Sequence, residues 1–575
     1  MRNAKQGPVL AVRAIGGLHV VTLAWDFVPG QEAKRDKLLG FAIERSQLAA
    51  DGTVFERFWL RGIKRFEKKD QGLPPGSPVP TSEHPVQSFQ WGDYIADPKT
   101  TYRYRVVPVY GKPNLITLDE ASSTTVEITT EGEEGAEQAS GGTRHDIHFN
   151  RGVAGSQAYA RLFPNTKPDE TKPESEQMKW LSRGLYEALL AFIARTAGPA
   201  FKLRAMLYEF HYAPVGEAFK NAAATGADVK ICYEAQTYKG VNEAMIAAKG
   251  IGALCQAQKS RGGVRHNKFI VMVHNDVPIA VWTGSTNISA GGIFGHSNVG
   301  HAIWNREIAQ RYLDYWDRLA DPNVKPSVLK AANLAVEPTP GADDLPPADR
   351  ILTLYCLRDD QPPKPPAPAK PNLQTLRWYA NRMAGAQRIM CMTFAFNFDP
   401  IFQTALDKPS DALRYLLFDK ALETAVETDV TRTGNTVVAV GAKLEQGDLE
   451  EFLGEVLTGF NKNQYIHDKF ILIDPLGDDP TVVTGTANFS GPSQDSNDEN
   501  MLVIRGNKRV ADVYFGEFMR IFDHLYSRYV VEKLHAAGKL DPKAGYLKEK
   551  TEDWITSHFK AGSPKEKRRR FFMGA

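Results

Sequence analysis

Cysteine is scarce in this chain of 575 residues: Cys232, Cys255, Cys356 and Cys391 stand far apart, mostly inside apolar runs. No CxxC pair or Cys/His cluster accompanies them, so buried reduced thiols are expected rather than a zinc site or a disulfide framework. No apolar run reaches the roughly 18 residues of a membrane-spanning helix. The N-terminus leads into a strand-like run without a signal-peptide core, so a cytoplasmic location is expected. Charge of one sign is also lacking. The 70 Lys and Arg nearly balance 68 Asp and Glu, and a net +2 selects no polyanionic partner by bulk electrostatics. With 42% hydrophobic and 24% charged residues, the composition is that of an ordinary globular protein.

What the chain does have is one uncommon pattern written twice. Arg265-His266-Asn267-Lys268-Phe269-Ile270-Val271 returns as Ile466-His467-Asp468-Lys469-Phe470-Ile471-Leu472. Each copy runs into a small-residue turn, Thr283-Gly284-Ser285-Thr286-Asn287 and Thr484-Gly485-Thr486-Ala487-Asn488, with the same His-to-Gly spacing. A single His-x-Lys on a strand is an ordinary edge pair. Two gap-free copies point to one site built between two related halves. On a strand, the His and the Lys two residues later share a face. Together the two copies would supply a nucleophile, a proton donor and two cations, which is what attack on an anionic phosphodiester requires.

The two copies resemble the HxKxxxxD signature of the phospholipase D superfamily, over about residues 143–535. The second copy fits fully, through Asp474 and then Gly485 and Asn488; in the first, Val273 stands at the Asp position. The resemblance implies a metal-independent phosphodiesterase, without cofactor, that works through a covalent phosphohistidine. Its site residues here would be His266, Lys268, Asn287, His467, Lys469, Asn488, Glu499 and Asp474. Asn287 and Asn488 are expected to donate hydrogen bonds to the phosphoryl oxygens. Eleven residues after each Asn stand Asn298 and Glu499. In the family such a residue often holds the imidazole of its own half. On that pattern His467 pairs with a carboxylate and acts as acid, while His266 pairs with an amide and attacks. The alternative is that Glu499 is one more surface acid in the run from Asp495 to Asn500.

The implied fold is multidomain: an N-terminal all-β sandwich, then two duplicated α/β/α phospholipase D-like units forming one pseudo-twofold active site. Trp25 and the Tyr102–Val106 alternation resemble the core of a fibronectin type III sandwich over residues 8–130, a module suited to a protein partner. Residues 131–142 read as an acidic, Gly-rich linker. The first phospholipase D-like half then covers 143–335 and the second 373–535. Between them, 336–372 read as a Pro-rich linker region. Residues 536–575 form a C-terminal helix and basic tail, whose last stretch, Lys565 to Phe572, is read as a disordered solubilising end; the other reading is contact of that stretch with phosphates or an anionic membrane. The substrate is expected to be nucleic acid. The alternative is a phospholipase D acting on diacyl phospholipids, and intact His, Lys and Asn in both halves argue against an inactive scaffold.

Overall fold

The computed structural model describes residues 1–73, 77–136, 142–152, 156–164, 166–259, 261–358, 373–396, 398–431, 434–441, 466–539, 541, 543 and 545–574. The N-terminal region is a sandwich of two antiparallel sheets. Strands Arg2–Gln6, Leu10–Gly16, Val21–Phe27 and Gln90–Asp93 form one; Gly40–Leu48, Val54–Trp59, Thr101–Lys112, Leu115–Leu118 and Thr124–Thr129 form the other. Period-2 alternation builds it: Tyr102, Tyr104 and Val106 are buried between the more exposed Thr101, Arg103 and Arg105. Across the core, fully buried Trp25 meets Phe41 edge-on with ring centroids 5.3 Å apart.

Two seven-stranded mixed sheets follow. The first runs in the order Arg144–Phe149, Val299–Trp304, Val277–Gly284, Lys268–His274, Phe201–Leu207, Asp228–Glu234, Cys255–Gln258. The second runs Leu352–Cys356, Glu499–Arg505, Thr481–Gly485, Phe470–Ile473, Ile389–Phe394, Leu413–Phe418, Thr436–Val440. Sequence order, spatial order and strand direction correspond position by position. The central strands are buried on both faces and therefore read as unbroken apolar runs. Between the sheets, Phe149 and Phe470 pack on Tyr514 of the long helix Lys508–Ala536, while Phe269 packs on Tyr312 of helix Arg306–Ala320.

Several segments differ from the sequence reading. Leu352–Cys356 lies inside the expected 336–372 linker, yet it is the edge strand of the second sheet, paired with Glu499–Arg505. The Pro-dense stretch 359–372 lies outside the described residues, as do 137–141 of the expected acidic linker. The rest of that acidic segment is built in: Glu131 pairs with Arg509 at 3.3 Å, and Glu133 lies beside His19 and His148. Helices Glu176–Ser182 and Leu185–Ala194 are separated by Arg183 and Gly184, whose φ values are 48° and 86°.

The C-terminal tail is folded rather than loose. Helices Glu552–Phe559 and Pro564–Met573 close against the sandwich. Trp554, Ile555 and Phe559 join the core of Phe27, Phe41 and Phe89, and Phe572 is buried against Phe515. The tail's cations are engaged as well: Arg569 with Asp26, Arg568 with Asp523 and Lys567 with Asp411. No described helix is long and apolar enough to cross a membrane.

Candidate active site

Both motif histidines lie just before a central strand, where the two units meet. The His266 N–H donates to the Asp498 carbonyl at 3.2 Å, and the Asp498 N–H donates to the Val264 carbonyl at 3.0 Å. At the corresponding place, Ile466 bridges to Ser297, and the His467 N–H donates to Ser297 Oγ at 3.1 Å. Each histidine segment is thus stitched to the other unit. The two crossings occupy positions related by the same offset that separates His266 from His467.

The imidazole partners cross in the same way. His266 Nδ1 lies 2.8 Å and 3.0 Å from the two Glu499 oxygens, and His467 Nδ1 lies 2.8 Å from Asn298 Oδ1. This corrects the expected pairing within each half: the carboxylate holds His266 and the amide holds His467. The reason is the interface itself, since Asn298 and Glu499 follow Ser297 and Asp498, the residues that bond the partner unit's histidine backbone. Glu499 is fully buried, not a surface acid. The Asn298 amide is oriented, because its Nδ2 donates to the Gly292 carbonyl at 2.7 Å and leaves Oδ1 toward the ring. His467 Nδ1 must therefore carry a proton to be bonded.

Lys268 and Lys469 adopt matching poses, each Nζ donating to the carbonyl of its own His at 2.6 Å. All four side chains are at most 8% exposed or wholly buried, and burial governs their protonation. It drives His266 down to about 4 against the upward pull of Glu499, so the ring is neutral near pH 7. It drives His467 well below its usual value, with Lys469, His296 and Lys268 adding to the effect. Burial alone would lift Glu499, but His266 and Lys268 outweigh it and keep the carboxyl below its ordinary range. Lys268 is pushed down to about 8 by burial despite Glu499 and Glu209. Lys469 falls well below its usual value through burial and the charge of Lys268.

The turn glycines bring the strands close enough for this to happen. A Cβ on Gly284 would strike the Val299 carbonyl, and one on Gly485 the Asn500 carbonyl, so neither position admits a side chain. Asn287 and Asn488 follow. Asn287 commits one N–H to Glu209 at 2.6 Å, and the Oδ1 of each Asn is buried without a hydrogen-bond partner among the described residues.

Asp474 belongs elsewhere. It follows the strand that Lys469 precedes, and its carboxylate accepts the backbone N–H groups of Gln387, Arg388 and Ile389 at 2.9, 2.7 and 3.1 Å. It anchors the start of strand Ile389–Phe394 and takes no part in the histidine cluster. Val273 replaces it in the first copy because that strand does not stop there. It continues to His274 and pairs Val273 with Lys202, so backbone satisfies backbone.

Sequence reading missed Tyr208, Glu209 and His296 among the neighbours. Tyr208 meets His266 edge-on at 4.7 Å, with Lys268 Nζ 5.0 Å from its ring centre. Phe396 holds a similar place beside His467 at 6.0 Å and Lys469 at 5.8 Å. Glu209 and His296 complete the surroundings, the latter 5.9 Å from His467. Glu209 and Phe396 lie just beyond the corresponding strands Phe201–Leu207 and Ile389–Phe394, at the end of each sheet where the histidines sit, a position that hints at function in open α/β sheets. Among the described residues no group of three or more His, Cys, Asp or Glu is gathered as a metal site.

Residues 428–524 match the family described as cardiolipin synthase, PLD-like domain. No curated protein sequence matches the chain. Among solved structures, phosphatidylserine synthase from Haemophilus influenzae Rd KW20 is 11% identical with a TM-score of 0.41, over 67% of this chain and 98% of that one. Polyphosphate kinase from Porphyromonas gingivalis is 13% identical with a TM-score of 0.37, over 60% of this chain, which spans only 51% of the kinase. Nuc from Salmonella typhimurium, a phospholipase D family member, is 20% identical with a TM-score of 0.21, over 31% of this chain and 94% of that one. The doubled His-x-Lys motif is thus brought together across one interface, and its second copy lies within the stretch, residues 428–524, that matches the PLD-like domain family.

Proposed function

We propose that the chain is a metal-independent phosphodiesterase in which His266 attacks phosphorus and His467 moves the protons, at a pseudo-twofold site shared by the two units. The observation that carries this reading is the crossed pairing of His266 with Glu499 and of His467 with Asn298. A neutral His266 with Nδ1–H held by a carboxylate presents its Nε2 lone pair. Attack forms a P–N bond and breaks the P–O bond to the leaving group, whose oxygen takes a proton from His467. The phosphohistidine carries imidazolium character, which Glu499 stabilises throughout its lifetime. A proton donor, by contrast, must release its proton, and a neutral amide holds it less tightly than a carboxylate would. His467 is neutral at rest, and the arriving phosphate anion favours its protonation. Water then gives its proton back to His467 and its oxygen to phosphorus, breaking the P–N bond. Lys268, Lys469 and the two Asn groups neutralise and orient the non-bridging oxygens.

The substrate reading is nucleic acid. The rim beside His266 carries Tyr208, Glu209, His211 and Tyr238, with His211 and Tyr238 stacked at 6.1 Å. These groups stack and hydrogen-bond as nucleotides require, whereas an acyl chain needs an unbroken apolar wall. The test is to incubate the purified chain with labelled single-stranded DNA, RNA and phosphatidylcholine vesicles in EDTA. Cleavage of a nucleic acid that survives chelation is the expected result. Turnover of the vesicles alone would move the assignment to lipid, and turnover that depends on added divalent ions would overturn the mechanism.

A further inference from the structure

A cleft of about 610 Å³ separates the N-terminal sandwich from the first unit and the long helix. Six arginines line it from every side: Arg61 from the sandwich, Arg151 and Arg161 from the first unit, Arg520 and Arg528 from helix Lys508–Ala536, and Arg568 from the C-terminal helix. Among the described residues only two carboxylates face them, and both are already engaged. Asp93 bonds Arg45 at 3.2 Å and the Tyr104 hydroxyl at 2.7 Å. Asp523 bonds Arg568 at 3.3 Å and the Tyr94 hydroxyl at 2.7 Å. Glu517, behind the wall, is shared between Arg183 and Arg520. Arg61 and Arg161 are exposed, and neither has a carboxylate partner among the described residues. Among the described residues, Arg61, Arg151 and Arg161 therefore give the cleft positive charge that its described acids do not balance, in a protein whose net charge is only +2. The crowding is felt by Arg151, which burial and the neighbouring Arg183 and Arg520 bring down to about 9.

The same walls carry flat rings. Trp91 and Phe58 line the sandwich side, and Trp180 the opposite side with the Arg151 guanidinium 4.2 Å from its ring centre. Guanidinium groups that fit phosphate oxygens, interleaved with half-exposed indoles, match the backbone and base of a single strand. An acyl chain would leave the arginines unpaired, and free phosphate would leave the rings unused.

We propose that this cleft is a second, non-catalytic site that holds a segment of single-stranded nucleic acid, with phosphates on the arginines and a base on Trp91 or Trp180. The ligand class rests on the nucleic-acid reading above, but occupancy of the cleft does not require the chemistry of the histidines. The sandwich and C-terminal helices then have a function as one jaw of a strand-binding groove.

The test measures binding and turnover separately. In a His266→Ala background, anisotropy of a fluorescein-labelled oligothymidylate of about 12 nucleotides is compared with that of the additional variants Arg61→Glu/Arg161→Glu and Trp91→Ala. Both positions of the double variant are exposed, so folding is not at stake. The expected result is at least a tenfold loss of affinity and a shallower salt dependence in the double variant, and a smaller loss in Trp91→Ala. With His266 intact, both should hydrolyse bis(p-nitrophenyl) phosphate, too small to span the two sites, at the rate of the unmodified protein. Unchanged oligonucleotide affinity in the double variant overturns the proposal, as does binding to phosphatidylglycerol vesicles with none to the oligonucleotide. Cleft-dependent oligonucleotide binding without strand cleavage would leave this proposal standing and remove the nuclease reading instead.

Discussion

At the scale of single residues, the two imidazoles differ by one atom type in their partners, and the proposed division of roles rests on that difference. Sequence spacing picked out both Glu499 and Asn298 but attached each to the wrong histidine. Its own reasoning, applied to the observed pairs, would make His266 the acid. The proposed covalent intermediate argues the other way, because its positive ring would need stabilising for as long as the P–N bond lasts. Glu499→Gln keeps the shape and removes the charge. We expect kcat to fall about 10²–10⁴-fold, with KM less affected. Since Glu499 raises His266, its loss should move any acid limb owed to His266 from about 4 to lower pH. A limb that moves upward would contradict the pairing as a source of reactivity. Given an activated diester, His467→Ala should accumulate a phosphoryl adduct on His266, located by mass spectrometry; an adduct on His467 would reverse the roles.

At the scale of elements, the motif Asp is a strand anchor. Asp474→Ala leaves three N–H groups without their acceptor, and hydrogen bonds to a charged group are worth about 1.5–3 kcal/mol each. Asp474 is partly exposed, so water can replace part of what is lost, and we expect a loss of about 2–4 kcal/mol in urea unfolding, with kcat of the remaining folded protein close to that of the parent. A large fall in kcat at full stability would restore a catalytic role. The long helix makes a second prediction. Burial would lift Glu517, yet Arg183 and Arg520 outweigh it and hold it at about 2, against an ordinary value of 4.5. A carboxyl depressed in the fold contributes stability that is complete above 4.5 and is lost as pH falls toward about 2. Glu517→Gln should flatten the acid-unfolding curve across that window. Because it strands Arg183, it should also cost about 3–5 kcal/mol at pH 7, read by denaturant midpoint.

At the scale of the whole molecule, the chain closes on itself. Its last helices fill the sandwich core, with Trp554 stacked on Phe89 at 6.0 Å and Phe559 edge-on to the same ring at 5.3 Å. Trp554→Ala should therefore destabilise by about 3–5 kcal/mol, as much as a central core position of the sandwich itself. Thermal unfolding read by near-ultraviolet dichroism would show it, and a cost below about 0.5 kcal/mol would mean that the tail only rests on the surface.

Local order was legible in the sequence because it is carried by periodicity. Helix Arg306–Ala320 and the central strands of both sheets follow from spacing that any reader of the chain can apply. The paired His, Lys and Asn were legible because the sequence repeats them at equal intervals. Edge strands such as Arg144–Phe149 and Leu352–Cys356 were not, since His, Asp and a flanking Pro-rich stretch hide their alternation. What only the tertiary structure decided is which unit supplies each imidazole's partner, where the basic tail packs, and which acids remain to balance the arginines of the cleft. Each of these depends on residues hundreds of positions apart meeting at an interface, and a linear pattern holds which residues are present but not which of them the packing brings within 3 Å of one another.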